Sequence, residues 1–369
     1  MRPAFSTTRS AGALALLLLV LLALPVVVRN NWLPPREQSY AALGWGSGPY
    51  PWIQNQVFQE KSDIDILLIG SSHILHCLDA RWVEGELSRK LGRPAVVRVI
   101  GWGGAGYEAP YFIIRDLLEN RKVHLLVFYN ESNIPKVKND KSPEWFRFSD
   151  GKKTLHGLPL TEKAYFYFAA LVGMPRNLLA LLRSNLPAEL HGAKPNFWEE
   201  HYASKNLADN LGSTASELGY DAKADVNHAV PFVPYAPKTT ASPGDAVVYS
   251  ESTKDKFQFS PEPLWPLQVH FAKLFISKAR ENGCRLVMLH IPTVKDSRTP
   301  KIEERAFWLE NPDIFLLGVP PAKMFDGLTD DQVCNLFFNT EHLNKNGQAY
   351  FTSLIGPKLL ELYDNQTGH

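Results

Sequence analysis

The sequence predicts an α/β fold built on a mostly parallel sheet, and three observations carry that prediction. Short runs rich in isoleucine, leucine and valine recur at Ile64–Ile69, Ala95–Ile100 and Val123–Tyr129, the pattern of strands buried on both faces. Helix-length segments separate them, "DARWVEGELSRKLG" and "YEAPYFIIRDLLEN", which implies right-handed βαβ crossovers. Each run ends in small or polar residues: Gly70, Ser71 and Ser72, then "GWGGAGYE", then "NESN". Open parallel sheets hold their ligands at those carboxyl ends.

Taken in order, the chain opens with Ala11–Val28, which carries no charge and is preceded by Arg2 and Arg9. Eighteen helical residues span about 27 Å at 1.5 Å each, close to the hydrocarbon thickness of a bilayer, and Pro25 is tolerated there. A cleaved signal peptide is the rival reading. Its apolar core is about 7–15 residues followed by a small-x-small site, and "LALPVVVRNN" offers no convincing one. The expectation is therefore an uncleaved, single-pass anchor over residues 1–34 in the cytoplasmic membrane. Arg2 and Arg9 favour a cytoplasmic N-terminus, although Arg29 and Arg36 weaken that asymmetry; the remainder is expected to be extracytoplasmic (periplasmic). A stalk rich in proline and glycine covers 35–62, and the α/β domain covers 63–369.

After the third run the alternation stops, and residues 135–262 read as an insertion over one face of the sheet. Within it, Thr161–Leu186 reads as an apolar helix pair or one helix interrupted by Pro175, and 190–260 as irregular. Periodicity returns with "LWPLQVHFAKLFISKARENG", an amphipathic helix closing at Gly283. A strand in "CRLVMLHIP", a short helix in "PKIEERAFWLE", a strand in "DIFLLGV" and a final helix after "FFNTEHLNKNG" complete the domain.

Composition narrows the function. With 39 basic and 38 acidic residues the formal charge is +1, and without a lysine-arginine cluster nucleic acid is not an expected partner. Cys77, Cys284 and Cys334 are too widely spaced for a disulfide framework or a zinc site, although a single disulfide stays open, and the two that adjoin probable strands read as small buried apolar groups. "HILH" puts His73 and His76 one turn apart, but no third ligand stands at a sensible spacing, so no metal is expected. A P-loop, a dinucleotide fingerprint and a G-x-S-x-G elbow are all missing, and no cofactor is expected.

A catalytic serine needs a base in reach, a group that orients the base, and donors for the oxyanion. Candidates for each follow the strands: Ser72 after the first, Gly106 after the second, Asn133 (alternate Asn130) after the third, and His342 three residues beyond Asn339 near the end. Singly they read as ordinary structure. Ser72 suits a helix cap, Gly106 a tight turn, the asparagines loop bonds, and His342 a cap on the last helix.

That order resembles the SGNH/GDSL hydrolase superfamily, named for its serine, glycine, asparagine and histidine blocks. "IGSSH" is similar to the G-D-S block with the nucleophile at Ser72. "GWGGAG" is similar to the block whose oxyanion glycine falls on Gly106, and "NTEHLNKNG" to the D-x-x-H block with the base at His342. The resemblance implies an SGNH-like three-layer sandwich, with Asn133 or Asn130 completing the oxyanion site. Two departures stand out. "GSS" replaces G-D-S, and Asn339 stands where the family has aspartate. An asparagine carbonyl can still fix the histidine tautomer, but replacing a triad aspartate by asparagine costs about 10⁴ in turnover. Slow chemistry, a dyad, or another carboxylate such as Asp326 or Asp330 is therefore expected.

With its anchor and insertion, the layout resembles membrane-tethered members that assist acylation of cell-surface polymers, such as the alginate O-acetylation and lipoteichoic-acid D-alanylation proteins. The resemblance implies a serine-dependent O-acetyltransferase or acetylesterase, a polysaccharide or acylated carbohydrate as substrate, and a membrane-bound O-acyltransferase as partner. The competing expectation is a non-catalytic tethered assembly or carbohydrate-binding factor on a degenerate hydrolase fold.

Overall fold

The computed structural model describes residues 8–29, 36–37, 40, 50–102, 106–129, 151–170 and 234–364. Five parallel strands form the main sheet: β1 (Ile64–Ser71), β2 (Val97–Trp102), β3 (Val123–Tyr129), β6 (Arg285–Leu289) and β8 (Ile314–Gly318). The short β4 (Val247–Val248) closes one edge antiparallel, in the order β2-β1-β3-β6-β8-β4. β5 (Phe257–Ser260) and β7 (Ile302–Arg305) make a separate parallel pair. The chain therefore has an α/β fold with a mostly parallel central sheet, as its strand pattern predicts.

Alternation of side chains across the pleat sorts the apolar strand residues into two cores. Leu67, Ile69, Leu126 and Phe128 face one layer with Phe112 of α5 (Glu108–Leu118) and Phe271 and Phe275 of α7 (Pro266–Glu281). Ile66, Leu68, Leu125 and Val127 face the other, with Val83 and Leu87 of α4 (Ala80–Leu91) and Phe351 and Leu359 of α10 (Lys345–Asp364). Burying both faces is why these strands read as continuous apolar runs.

Local signals fix the helix ends. Asp79 accepts from the N–H groups of Arg81 and Trp82 at 3.0 and 3.1 Å and caps α4, and Gly92 leaves it at φ 64°. Asn344 accepts from the N–H groups of Asn346 and Gly347 and begins α10. His342 is thus not the cap of the last helix. Asp65, a buried polar residue inside β1, is bonded to Arg93, the Val96 N–H and the Tyr363 hydroxyl.

Two expectations are corrected. "PKIEERAFWLE" does not form a helix: Ile302–Arg305 is β7, paired with β5, followed by a 3₁₀ turn at Ala306–Glu310. Its helix-favouring glutamates are overridden because Ile302 and Glu304 are buried on one face while Glu303 stays exposed. Nor is 190–260 irregular to its end, since β4 and β5 lie within it and β4 pairs with β8. Of the insertion, residues 160–170 are helical and 171–233 lie outside the described residues.

The apolar N-terminal run is one continuous helix, α1 (Thr8–Arg29), with Leu14, Leu16, Leu18, Leu19 and Leu22 exposed. Among the residues described to the side chain, no helix is long and apolar enough to cross a membrane; α1 is described to the side chain only in part.

Candidate active site

β1 lies between β2 and β3, so crossovers leaving its two sides run in opposite directions. That reversal opens a crevice at the carboxyl ends of β1 and β3. The register pairs Leu68 with Val127 and Gly70 with Gly101, bringing Ser71, Ser72 and Tyr129 to this edge together. The bend is sharp and tightly packed. A Cβ on Gly70 would lie 3.1 Å from the Tyr129 ring, and one on Gly101 would overlap Leu75 of α3 (Ser72–Cys77).

The two serines divide the available roles. Ser71 holds the N-cap position of α3 but makes no capping bond with its side chain; its Oγ instead bonds the Tyr129 hydroxyl. Ser72 is the first helical residue, half-buried, and its Oγ lies 2.7 Å from His342 Nε2. On the far side of that ring, His342 Nδ1 donates to Asn339 Oδ1 at 3.0 Å. The same oxygen accepts the backbone N–H groups of Glu341 and His342 at 2.9 Å, so Asn339 fixes both the turn and the imidazole. Ser72, His342 and Asn339 therefore form a continuous hydrogen-bonded line.

Gly106 is buried at φ 109°, a conformation that suits glycine. A Cβ there would overlap the buried Glu108 carboxylate, which Gln268 of α7 also contacts at 3.1 Å. Gln268 further accepts the Tyr107 N–H at 2.7 Å, pinning the loop from behind. Asn133 and its alternate Asn130 lie outside the described residues. Asp326 and Asp330 do not reach the site: Asp326 accepts from Thr240, and Asp330 pairs with Arg298. Among the described residues, Asn339 is the side chain that hydrogen-bonds His342 Nδ1.

Sequence reasoning noted His73 and His76 one turn apart without assigning them contacts. Their rings lie against His342, His73 stacked at 4.4 Å and 23°, His76 crossing at 5.6 Å and 86°. His73 Nδ1 is 3.1 Å from the Tyr129 hydroxyl and 3.5 Å from Ser71 Oγ. Part of the signal was available in the spacing, since His76 lies four residues beyond Ser72 on the same helical face, and His73 lies three residues before His76. Tyr129 was readable only as the last residue of a strand.

Burial dominates the titration of all three rings. It holds His342 down to about 4, assisted by nearby His73 and opposed by Glu341. It likewise holds His73 at about 4, and His76 at about 3 with help from His342 and His73. All three are neutral near pH 7, and His342 is available as a base. Ligand atoms of His73, Glu341 and His342 lie within 4.8 Å of one another, but the arrangement does not suit a metal. Nearly parallel rings cannot aim their in-plane lone pairs at one ion, and both His342 nitrogens are already engaged.

An imidazole–carboxylate pair stands at the same sheet edge. His290, just beyond β6, bonds Glu304 of β7 through Nδ1 at 3.0 Å, with Glu304 almost wholly buried. Burial pushes His290 down, and the Glu304 hydrogen bond and charge more than offset it, leaving the imidazole raised. Reading the segment around Glu304 as a helix concealed this pair.

No family model matches the chain, and no curated protein matches it. The functional reading therefore rests on the site itself.

Proposed function

We propose that the chain is an SGNH-type acyl-transfer protein, tethered by its N-terminal helix and acting outside the cytoplasmic membrane on O-acyl groups of a cell-surface polysaccharide. The observation that carries this reading is the 2.7 Å contact between Ser72 Oγ and His342 Nε2, made across 270 positions of sequence. Ser72 Oγ attacks an ester or thioester carbonyl while His342 Nε2 takes its proton and Asn339 holds Nδ1–H. Backbone N–H groups of Ser72 and Gly106 and the Asn133 amide are the proposed oxyanion donors. The departing alcohol or thiol leaves with the proton from His342, and the acyl-serine passes its acyl group to a sugar hydroxyl or to water. The uncharged run Ala11–Val28 supports the anchor, and a membrane-bound O-acyltransferase is the proposed acyl source.

A fluorophosphonate probe on the full chain in detergent tests the reading. Ser72 is expected to be labelled, Ser72→Ala to abolish labelling, and His342→Ala to slow it by about 10²-fold or more, the usual weight of a general base. Asn339 at the acid position favours a second reading, a non-catalytic carbohydrate-binding factor. A wild-type chain that binds polysaccharide but never labels would establish that reading instead.

A further inference from the structure

Proton transfer from Ser72 leaves an imidazolium on His342, and a half-buried cation needs a compensating group. Catalytic serine sites ordinarily supply a carboxylate. Asn339 fixes the ring but carries no charge, and Asp326 and Asp330 are bonded elsewhere. Glu341 is exposed, where water weakens its influence. Among the described residues, the groups facing His342 are Ser72, His73 and His76 from α3 and Asn339 and Glu341 from its own loop, with Tyr129 of β3 behind His73.

Resting on the acyl-transfer reading above, we infer that His73 is a positioning residue for His342. Its ring face, stacked at 4.4 Å and 23°, stabilises the imidazolium that Asn339 cannot balance. A protonated His73 would repel that charge and lower the basicity of His342, whereas the face of a neutral aromatic ring attracts a cation placed over it. Three features keep His73 neutral. Burial lowers its basicity; the Tyr129 hydroxyl sits 3.1 Å from Nδ1; and Ser71 backs the tyrosine. In the donor order Ser71 to Tyr129 to His73, Nδ1 accepts and the tautomer with a proton on Nε2 is fixed. The ring plane is fixed with it. This gives the first serine of "GSSH" a purpose: Ser72 reacts, and Ser71 holds the ring that supports its base.

The test compares His73→Phe, which keeps an aromatic face, with His73→Leu, which keeps only bulk. Fluorophosphonate labelling is expected to fall about tenfold in the leucine variant and to stay within about threefold of wild type in the phenylalanine variant. An NMR titration of His342 is expected to give a lower pKa with leucine than with phenylalanine. Adding Asn339→Asp to His73→Leu is expected to restore labelling, because the carboxylate supplies the missing charge. Equal labelling and equal titration in the two His73 variants, in a chain that labels, would overturn the inference. A wild-type chain that never labels overturns the acyl-transfer reading itself. Should the leucine variant not fold, Tyr129→Phe releases the His73 ring without removing it. Labelling is then expected to slow about threefold, and an unchanged rate counts against the inference.

Discussion

Ser71 and Ser72 are identical in chemistry and adjacent in sequence, yet one meets an imidazole and the other a phenol. The difference is the one-residue offset between the end of a strand and the start of a helix, which turns successive side chains in different directions. His342 carries a residue-scale prediction. A base works only when neutral, and burial holds this one at about 4. Labelling of Ser72 is therefore expected to be level from pH 8 down to about 5. It should then fall as pH passes through about 4, approaching tenfold per unit. The rate profile against pH checks this, and a midpoint near the ordinary histidine value of about 6.5 would contradict it.

At the scale of elements, two glycines separate the site from its support. Gly106 combines a φ of 109° with a neighbouring carboxylate that leaves no room for a Cβ. Gly106→Ala is expected to cost roughly 1–3 kcal/mol of stability and to slow labelling at least tenfold, because its N–H is a proposed oxyanion donor. Gly356 lies on α10, away from the reacting groups, where a Cβ would overlap the Trp82 ring of α4. Overpacking of this kind costs about 1–3 kcal/mol. Gly356→Ala is therefore expected to lower the melting temperature while leaving the labelling rate of the folded protein unchanged. Denaturant melts and labelling rates on the same samples distinguish the two variants. β7 shows how an element can mislead. Its glutamates favour a helix in isolation, but pairing with β5 and the His290 contact of Glu304 decide for a strand.

For the whole molecule, the buried histidines tie stability to pH. His73, His76 and His342 have folded pKa values of about 4, 3 and 4, whereas in the unfolded chain each titrates near 6.5. Between those values the unfolded state binds more protons, so stability rises with pH. Their contribution is full above about 6.5 and is lost as pH falls toward 4. His290 runs the other way, because a raised pKa contributes below 6.5 and fades as pH climbs; with His270 also lowered, chiefly by burial, four lowered groups outweigh one raised group. Asp65, lowered by Arg93, Tyr363 and the Val96 N–H against the opposing effect of burial, adds a further loss in stronger acid. The melting temperature is expected to drop steadily from pH 7 to pH 4. In the triple variant His73→Phe, His76→Leu and His342→Gln that slope should be much shallower, and calorimetry across the range measures it.

The amino-acid sequence alone determined the α/β class, the strands Ile64–Ser71 and Val123–Tyr129 to within a residue or two, and the candidates Ser72, His342 and Asn339 that the fold brings into contact. These properties are local. They follow from apolar periodicity, from glycine and capping residues at element ends, and from the rule that parallel sheets present their ligands at carboxyl edges. Only the tertiary structure decided that Asp326 and Asp330 face elsewhere, that Glu304 turns inward to His290, and that His73 lies flat on His342. Each of those outcomes depends on which strands become neighbours and in what register. No single segment encodes that choice, because it is made by burying both faces of the sheet at once.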